Sequence, residues 1–167
     1  TAVSVVIAGF LIFAGIGSRF SAALSKALSH FWPTDPQPAS ILTAAAGIAI
    51  LSTLYVFCIP ELFTLLAILG DAGRVAVSMA LLAPLAFLMG MPFPLGLAML
   101  GASRPAHVPW AWGINGCASV VASILATLLA LSWGFTAVLA AGAAAYALAC
   151  VAFWPLTAKR PHLTAQA

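Results

Sequence analysis

The sequence predicts an all-α integral membrane helical bundle of about five transmembrane helices, and three observations carry that prediction. Of the 167 residues, 64% are hydrophobic and 5% are charged, whereas a soluble domain carries about 25% charged residues. That leaves too little polar surface to face water. The apolar residues fall in continuous Ala- and Leu-rich runs, long enough to cross a hydrocarbon core of about 30 Å at about 1.5 Å per residue. They do not show the short alternating segments of an outer-membrane barrel. Clusters of Pro, Gly and polar residues separate the runs.

Residues 1–167 read as one transmembrane domain. The first span covers 2–20 and ends in GIGSRFS; the loop after it carries HFWPTDPQPAS, residues 30–40, whose three prolines are expected to hold off a helix. The second span covers 41–59, closed by Pro60 and Glu61, with Leu62 to Leu69 too short to span and read as an extension or an interfacial turn. Gly70 and Asp71 precede the third span, 75–100. Within it lies MGMPFPLGL, residues 89–97. Proline lacks a backbone donor and clashes with the preceding turn, so a break is expected at Pro92 and Pro94, with Gly90 and Gly96 allowing close approach. The fourth span covers 111–132 and the fifth 135–154, joined by a link so short that they must form an antiparallel hairpin. No repeat of fixed period is present, and the start at Thr1 suggests part of a longer chain or assembly.

Charge placement predicts the orientation. With the N-terminus outside and the C-terminus inside, the inner loops hold Arg19, Lys26, Arg104, Lys159 and Arg160, five of the six basic residues. Only Arg74 falls outside, beside Glu61 and Asp71. Short cytoplasmic loops carry the excess of Lys and Arg. Trp32, Trp110, Trp112 and Trp154 fall near inner ends and Trp133 near an outer one, the pattern of interfacial anchors.

The same inventory narrows the chemistry. A net charge of +3 is too small to suggest nucleic acid as a partner. Cys58, Cys117 and Cys150 lie inside apolar runs without a CxxC pair and read as small buried hydrophobes, not a disulfide framework or metal site. Asp35, Glu61 and Asp71, the only acids, fall in predicted loops, so no span holds the midplane carboxylate that ion-coupled transporters use. His30, His107 and His162 also fall outside the spans. An interfacial pigment or haem contact by His30 or His107 is a minor option, and no cofactor, metal or catalytic residue is predicted. GIGSRFS does not sit in a strand–turn–helix unit, so Gly15, Gly17 and Ser18 read as a small-residue contact face with Arg19 at the inner boundary.

The fourth span carries the strongest polar pattern. Asn115, Ser119, Ser123 and Thr127 recur every four residues, on one helix face, with Gly113 and Gly116 thinning the same end. Such faces in membranes usually meet another helix; the other use is to line a polar cavity. The topology brings GIGSRFS, MGMPFPLGL and PWAWGINGCAS, residues 109–119, into the inner half of the membrane. Irregular backbone there must be satisfied by protein or by a watery cavity. Asn115 is thus expected to serve carbonyls freed by Pro92 and Pro94, with the elbow packed on a WGING turn.

MGMPFPLGL, VPWAWGINGCASVVASILATLLAL and GFTAVLAAGAAAYALA resemble the C-terminal membrane region of bacterial fused proteins that join a transporter-like membrane region to a spermidine synthase-like domain. The likeness covers residues 85–151 and extends loosely back to GIGSRFS. It implies a multi-pass protein of the bacterial inner membrane, attached to or partnered with a cytoplasmic nucleotide-cofactor domain. The Gly-rich loop and acidic residues that such a domain needs for decarboxylated S-adenosylmethionine and a polyamine are absent from this sequence.

The favoured expectation is a non-catalytic structural or accessory module, an anchor in a larger membrane assembly, with the lipid bilayer and other membrane subunits as partners. The alternatives are part of a passage for a small amphiphilic or cationic substrate, and the membrane region of a spermidine synthase-like fused enzyme.

Overall fold

A computed structural model describes residues 2–31, 36–66 and 70–158. The described residues form helices α1 (Ala2–Leu28), α2 (Pro36–Leu66), α3 (Asp71–Met89), α4 (Pro92–Ser103), a single 3-10 turn (Pro105–His107), α5 (Val108–Trp133) and α6 (Phe135–Ala158). No strand occurs among them. Lipid offers backbone groups no hydrogen bonds, so a spanning segment must satisfy them within itself, which a helix does. Five stretches are long and apolar enough to cross a membrane: Ser4–Leu28, Pro36–Ile59, Asp71–Ser103, Pro105–Trp133 and Phe135–Thr157. The third is the α3–α4 pair, broken as the prolines require.

Three boundaries differ most from the sequence reading. Helix α1 runs on to Leu28, which leaves Arg19 well inside it. Helix α2 begins at Pro36 and takes in Pro38, because the first-turn N–H groups of a helix have no intrahelical acceptor and proline loses nothing there. It also continues through Pro60 to Leu66. A proline inside a membrane helix is tolerated where local adjustments re-satisfy the freed carbonyl; Pro84 in α3 and Pro155 in α6 also lie inside helices. Trp32, Asp35, Lys159, Arg160 and His162 lie outside the described residues.

Contacts set the directions of the helices. Gly9 of α1 lies at Met79, and Gly17 at Phe87, so α1 and α3 run parallel. Gly47 of α2 lies at Leu88 while Tyr55 reaches Leu81, so α2 is antiparallel to both. Cys150 of α6 lies at Leu42, and α6 lines a shared groove with the later part of α2, from Ala49 to Phe57. Helices α5 and α6 fold back on each other through Gly134 alone, whose φ of 83° and ψ of 173° only glycine adopts readily. The order is up, down, up, down, up, as successive membrane crossings require. The most extensive pairings are α2 with α6 and α1 with α3.

The densest packing lies around the break. Ile41 and Ala44 of α2 meet Leu95 of α4 and Met91, with Leu24, Phe87, Leu88, Met99 and Phe153 packed around them. Ser40, fully buried beside this cluster, donates to the Pro36 carbonyl at 2.6 Å, so its hydroxyl is not stranded. Helix α5 has no buried residue. It touches α6, and α4 near its own start, and otherwise stands outside the packing.

Candidate functional site: the elbow and the outer helix

The break is two residues long. Gly90 (φ −71°, ψ −15°) and Met91 (φ −87°, ψ −41°) keep right-handed helical dihedrals, so the backbone tightens and does not unwind. Pro92 is the first residue of α4 and Pro94 its third, positions where a missing N–H is least harmful. Pro92 cannot donate to the Leu88 carbonyl. The Met91 N–H does so instead, at 3.1 Å, while Gly90 donates to Ala86 at 3.1 Å and Leu95 to Met91 at 3.3 Å. The elbow thus repairs the Leu88 carbonyl with its own backbone. Asn115 is exposed, and no hydrogen bond joins its side chain to the elbow.

The elbow packs on α1. A Cβ on Gly90 would run into the carbonyl oxygen of Ala14, and a Cβ on Gly17 into that of Phe87. These two glycines let the backbones of α1 and the α3 terminus touch, and the Phe20 and Phe87 rings meet beside them, tilted by 50° with centroids 6.0 Å apart. Gly96, Gly113, Gly116 and Gly15 have nothing within 4 Å of a Cβ, so close approach does not require glycine there. The WGING segment is regular helix within α5, not a turn. Its one ring contact with the elbow is Trp112 on Phe93, edge-on at 4.9 Å.

Tyr55 meets the proline-bearing part of α3. Pro84 leaves the carbonyl of Ala80 without its helical donor, and one residue further on the Tyr55 hydroxyl donates to the Leu81 carbonyl at 2.5 Å. Nothing in composition marks this bond, although a tyrosine on one span and an internal proline on the next are the signal that could have suggested it.

The polar residues of α5 point outward. Asn115, Ser119, Ser123 and Thr127 are all exposed. Ser119 donates to the Asn115 carbonyl at 2.7 Å, Ser123 to Val120 at 2.8 Å and Thr127 to Ser123 at 2.9 Å. Each hydroxyl proton is therefore satisfied within the helix. Cys58 and Cys117 are exposed and Cys150 is half-buried, so the reading of all three as buried hydrophobes is corrected: they sit on outward or marginal helix faces.

Arg19 is exposed and has no salt bridge among the described residues. Its long stem can run along the helix to place the charge in polar surroundings. His30 and His107 are exposed, the former edge-on to Phe31 at 5.7 Å. Among the described residues, no three His, Cys, Asp or Glu side chains gather as a metal site would need. Trp110, Trp112, Trp133 and Trp154 are exposed near helix ends, as interfacial anchors would be.

The two ends of the bundle differ in charge. The end of α1, the start of α2, α4 and the start of α5 share one end, with Lys26 and Arg104. The opposite end holds Glu61, Asp71 and Arg74, with Asp71 and Arg74 4.0 Å apart and exposed. No known family model, curated protein or solved structure matches the chain.

Proposed function

We propose that the chain is a non-catalytic membrane module that anchors a larger membrane assembly, and that α5 is the helix it presents to its partner. The carrying observation is that α5 has no buried residue yet displays Asn115 and three hydroxyl residues along its length. A side-chain amide left in hydrocarbon without a partner costs about 4–8 kcal/mol on a water-to-alkane scale. A neighbouring transmembrane helix removes much of that cost, and serine-lined faces permit close approach. The basic end is assigned to the cytoplasm, giving an N-out, C-in protein of a bacterial inner membrane. The resemblance of residues 85–151 to fused membrane proteins adds a spermidine synthase-like domain as a cytoplasmic attachment to look for, separate from the transmembrane partner of α5.

A photoreactive residue at Val120, in native membranes, is the direct test. A discrete protein adduct is expected there, and only lipid adducts from the same residue at Leu11 of α1. Asn115→Leu should abolish the protein adduct. A chain that purifies as a stable monomer and yields only lipid adducts at Val120 would refute the proposal.

A further inference from the structure

At the basic end, α1, α2 and α4 frame an open cavity of about 340 Å³. Its polar wall carries Ser21, Ser25 and Lys26 from α1, Ser29 from the turn after it and Gln37 from α2; its floor is Pro94, Leu95 and Ala98 of α4. The other large grooves are almost wholly apolar, such as that between Ala49–Phe57 and Ala140–Ala147. Ser21 donates to the Ser18 carbonyl at 2.7 Å and Ser29 to the Lys26 carbonyl at 2.7 Å, so those two hydroxyl protons are committed. The Ser25 hydroxyl has no partner among the described residues, and the Lys26 ammonium brings three donors and a full charge. No described carboxylate lines the cavity: Glu61 and Asp71 lie at the far end, and Asp35 lies outside the described residues.

We infer that this cavity binds the phosphate group of an anionic phospholipid, with Lys26 and Ser25 as its donors. Three features distinguish it from a basic surface patch. It is a recess between spanning helices, the setting in which basic pockets take lipid headgroups. Ser25 and Lys26, neither with a side-chain hydrogen bond or ion pair among the described residues, are adjacent on one helix, and both line it. Its polar wall and apolar floor suit an amphiphile at the membrane surface better than a soluble anion. The inference does not rest on α5 or on a partner, and the orientation proposed above bears only on which leaflet supplies the lipid.

The test is lipid retention by the full chain, transferred from nanodiscs of dioleoylphosphatidylcholine doped with dioleoylphosphatidylglycerol and read by native mass spectrometry. Retained phosphatidylglycerol is expected on the unsubstituted chain. Lys26→Gln should lower retention about tenfold or more. Arg104→Gln removes the same charge from the same end but outside the cavity, and should change retention by no more than the about fivefold that one surface cation is worth. Ser25→Leu fills the recess without altering charge and should also abolish retention; if Lys26→Gln fails to fold, that variant decides alone. Inorganic phosphate at equal ionic strength should not displace the lipid. Equal losses in Lys26→Gln and Arg104→Gln, retention that survives Ser25→Leu, absence of retention from the start, or binding of inorganic phosphate in place of lipid would each overturn the inference.

Discussion

Gly17→Ala and Gly90→Ala test the α1–α3 contact most sharply. Each adds a single methyl group directly into a backbone carbonyl, that of Phe87 or of Ala14. A carbonyl inside a helix cannot swing aside as a side-chain tip can. The two helices must therefore separate by about 1 Å, and a gap of that size forfeits about a quarter to a half of each dispersion contact it opens. Overpacking of this kind costs about 1–3 kcal/mol, less, at Gly17 inside α1, the about 1 kcal/mol that Ala gains over Gly within a helix. Because both substitutions open the same interface, the double variant should lose less than the sum of the singles. Gly96→Ala is the internal standard: it lies in α4 with nothing within 4 Å of its added methyl, so it should be neutral or slightly stabilising. The assay is reversible unfolding in mixed micelles, followed by helicity. If Gly17→Ala and Gly96→Ala shift the midpoint equally, or if the double variant is strictly additive, the two helices do not touch backbone to backbone.

Further expectations concern single bonds and single side chains. Gly134→Ala forces a methyl-bearing residue into φ 83°, ψ 173° and should cost about 1–3 kcal/mol, read as a lower unfolding midpoint. Tyr55→Phe removes the donor to the Leu81 carbonyl and should cost about 0.6 kcal/mol, with about 1.7 kcal/mol as the upper bound for such a bond in a membrane bundle. Ile48→Ala empties a site with 0% exposure in α2 and should cost about 2–5 kcal/mol in the same unfolding assay; an unchanged midpoint would contradict its place in the core.

The spans were legible because a membrane helix is defined by the length of an apolar run, and run length is visible directly. The break in MGMPFPLGL was legible for a related reason, since two prolines so close together cannot lie mid-helix. What failed was the treatment of every proline as a stop. Pro36 and Pro38 occupy a first turn and Pro60 lies within α2. The close approach of Gly90 was legible as a small-residue signal, but its partner was not. Gly113 and Gly116 carry the same signal and meet nothing, while Gly17 meets Phe87. Which glycine is used depends on how the helices cross, and crossing is set by many weak contacts that no local pattern records. The position of α5 was equally hidden, because lipid-facing and protein-facing surfaces of membrane helices are alike in their apolarity.

The elbow has a purpose that the repaired hydrogen bonds make visible. A continuous helix over residues 71–103 would hold all its side chains in one fixed angular order. Helix α3 packs chiefly on α1 and secondarily on α2, whereas α4 divides its packing among α2, α1 and the start of α5. Two residues at Gly90 and Met91, tightened but never extended, separate the chain into two helices that can take these different neighbours. Gly90 provides the close approach to α1, Met91 enters the core with Ile41 and Ala44, and Pro94 and Leu95 form the floor of the polar cavity. Replacing Pro92 and Pro94 together by Ala tests this division. Ala restores the missing donors and permits one continuous helix, so the α2–α4 contact should weaken while α1–α3 persists. Disulfide trapping between Cys pairs introduced at Ala44 and Leu95, and separately at Gly9 and Met79, distinguishes the two contacts. Equal trapping at both pairs before and after the substitution would show that α4 reaches α2 without the break.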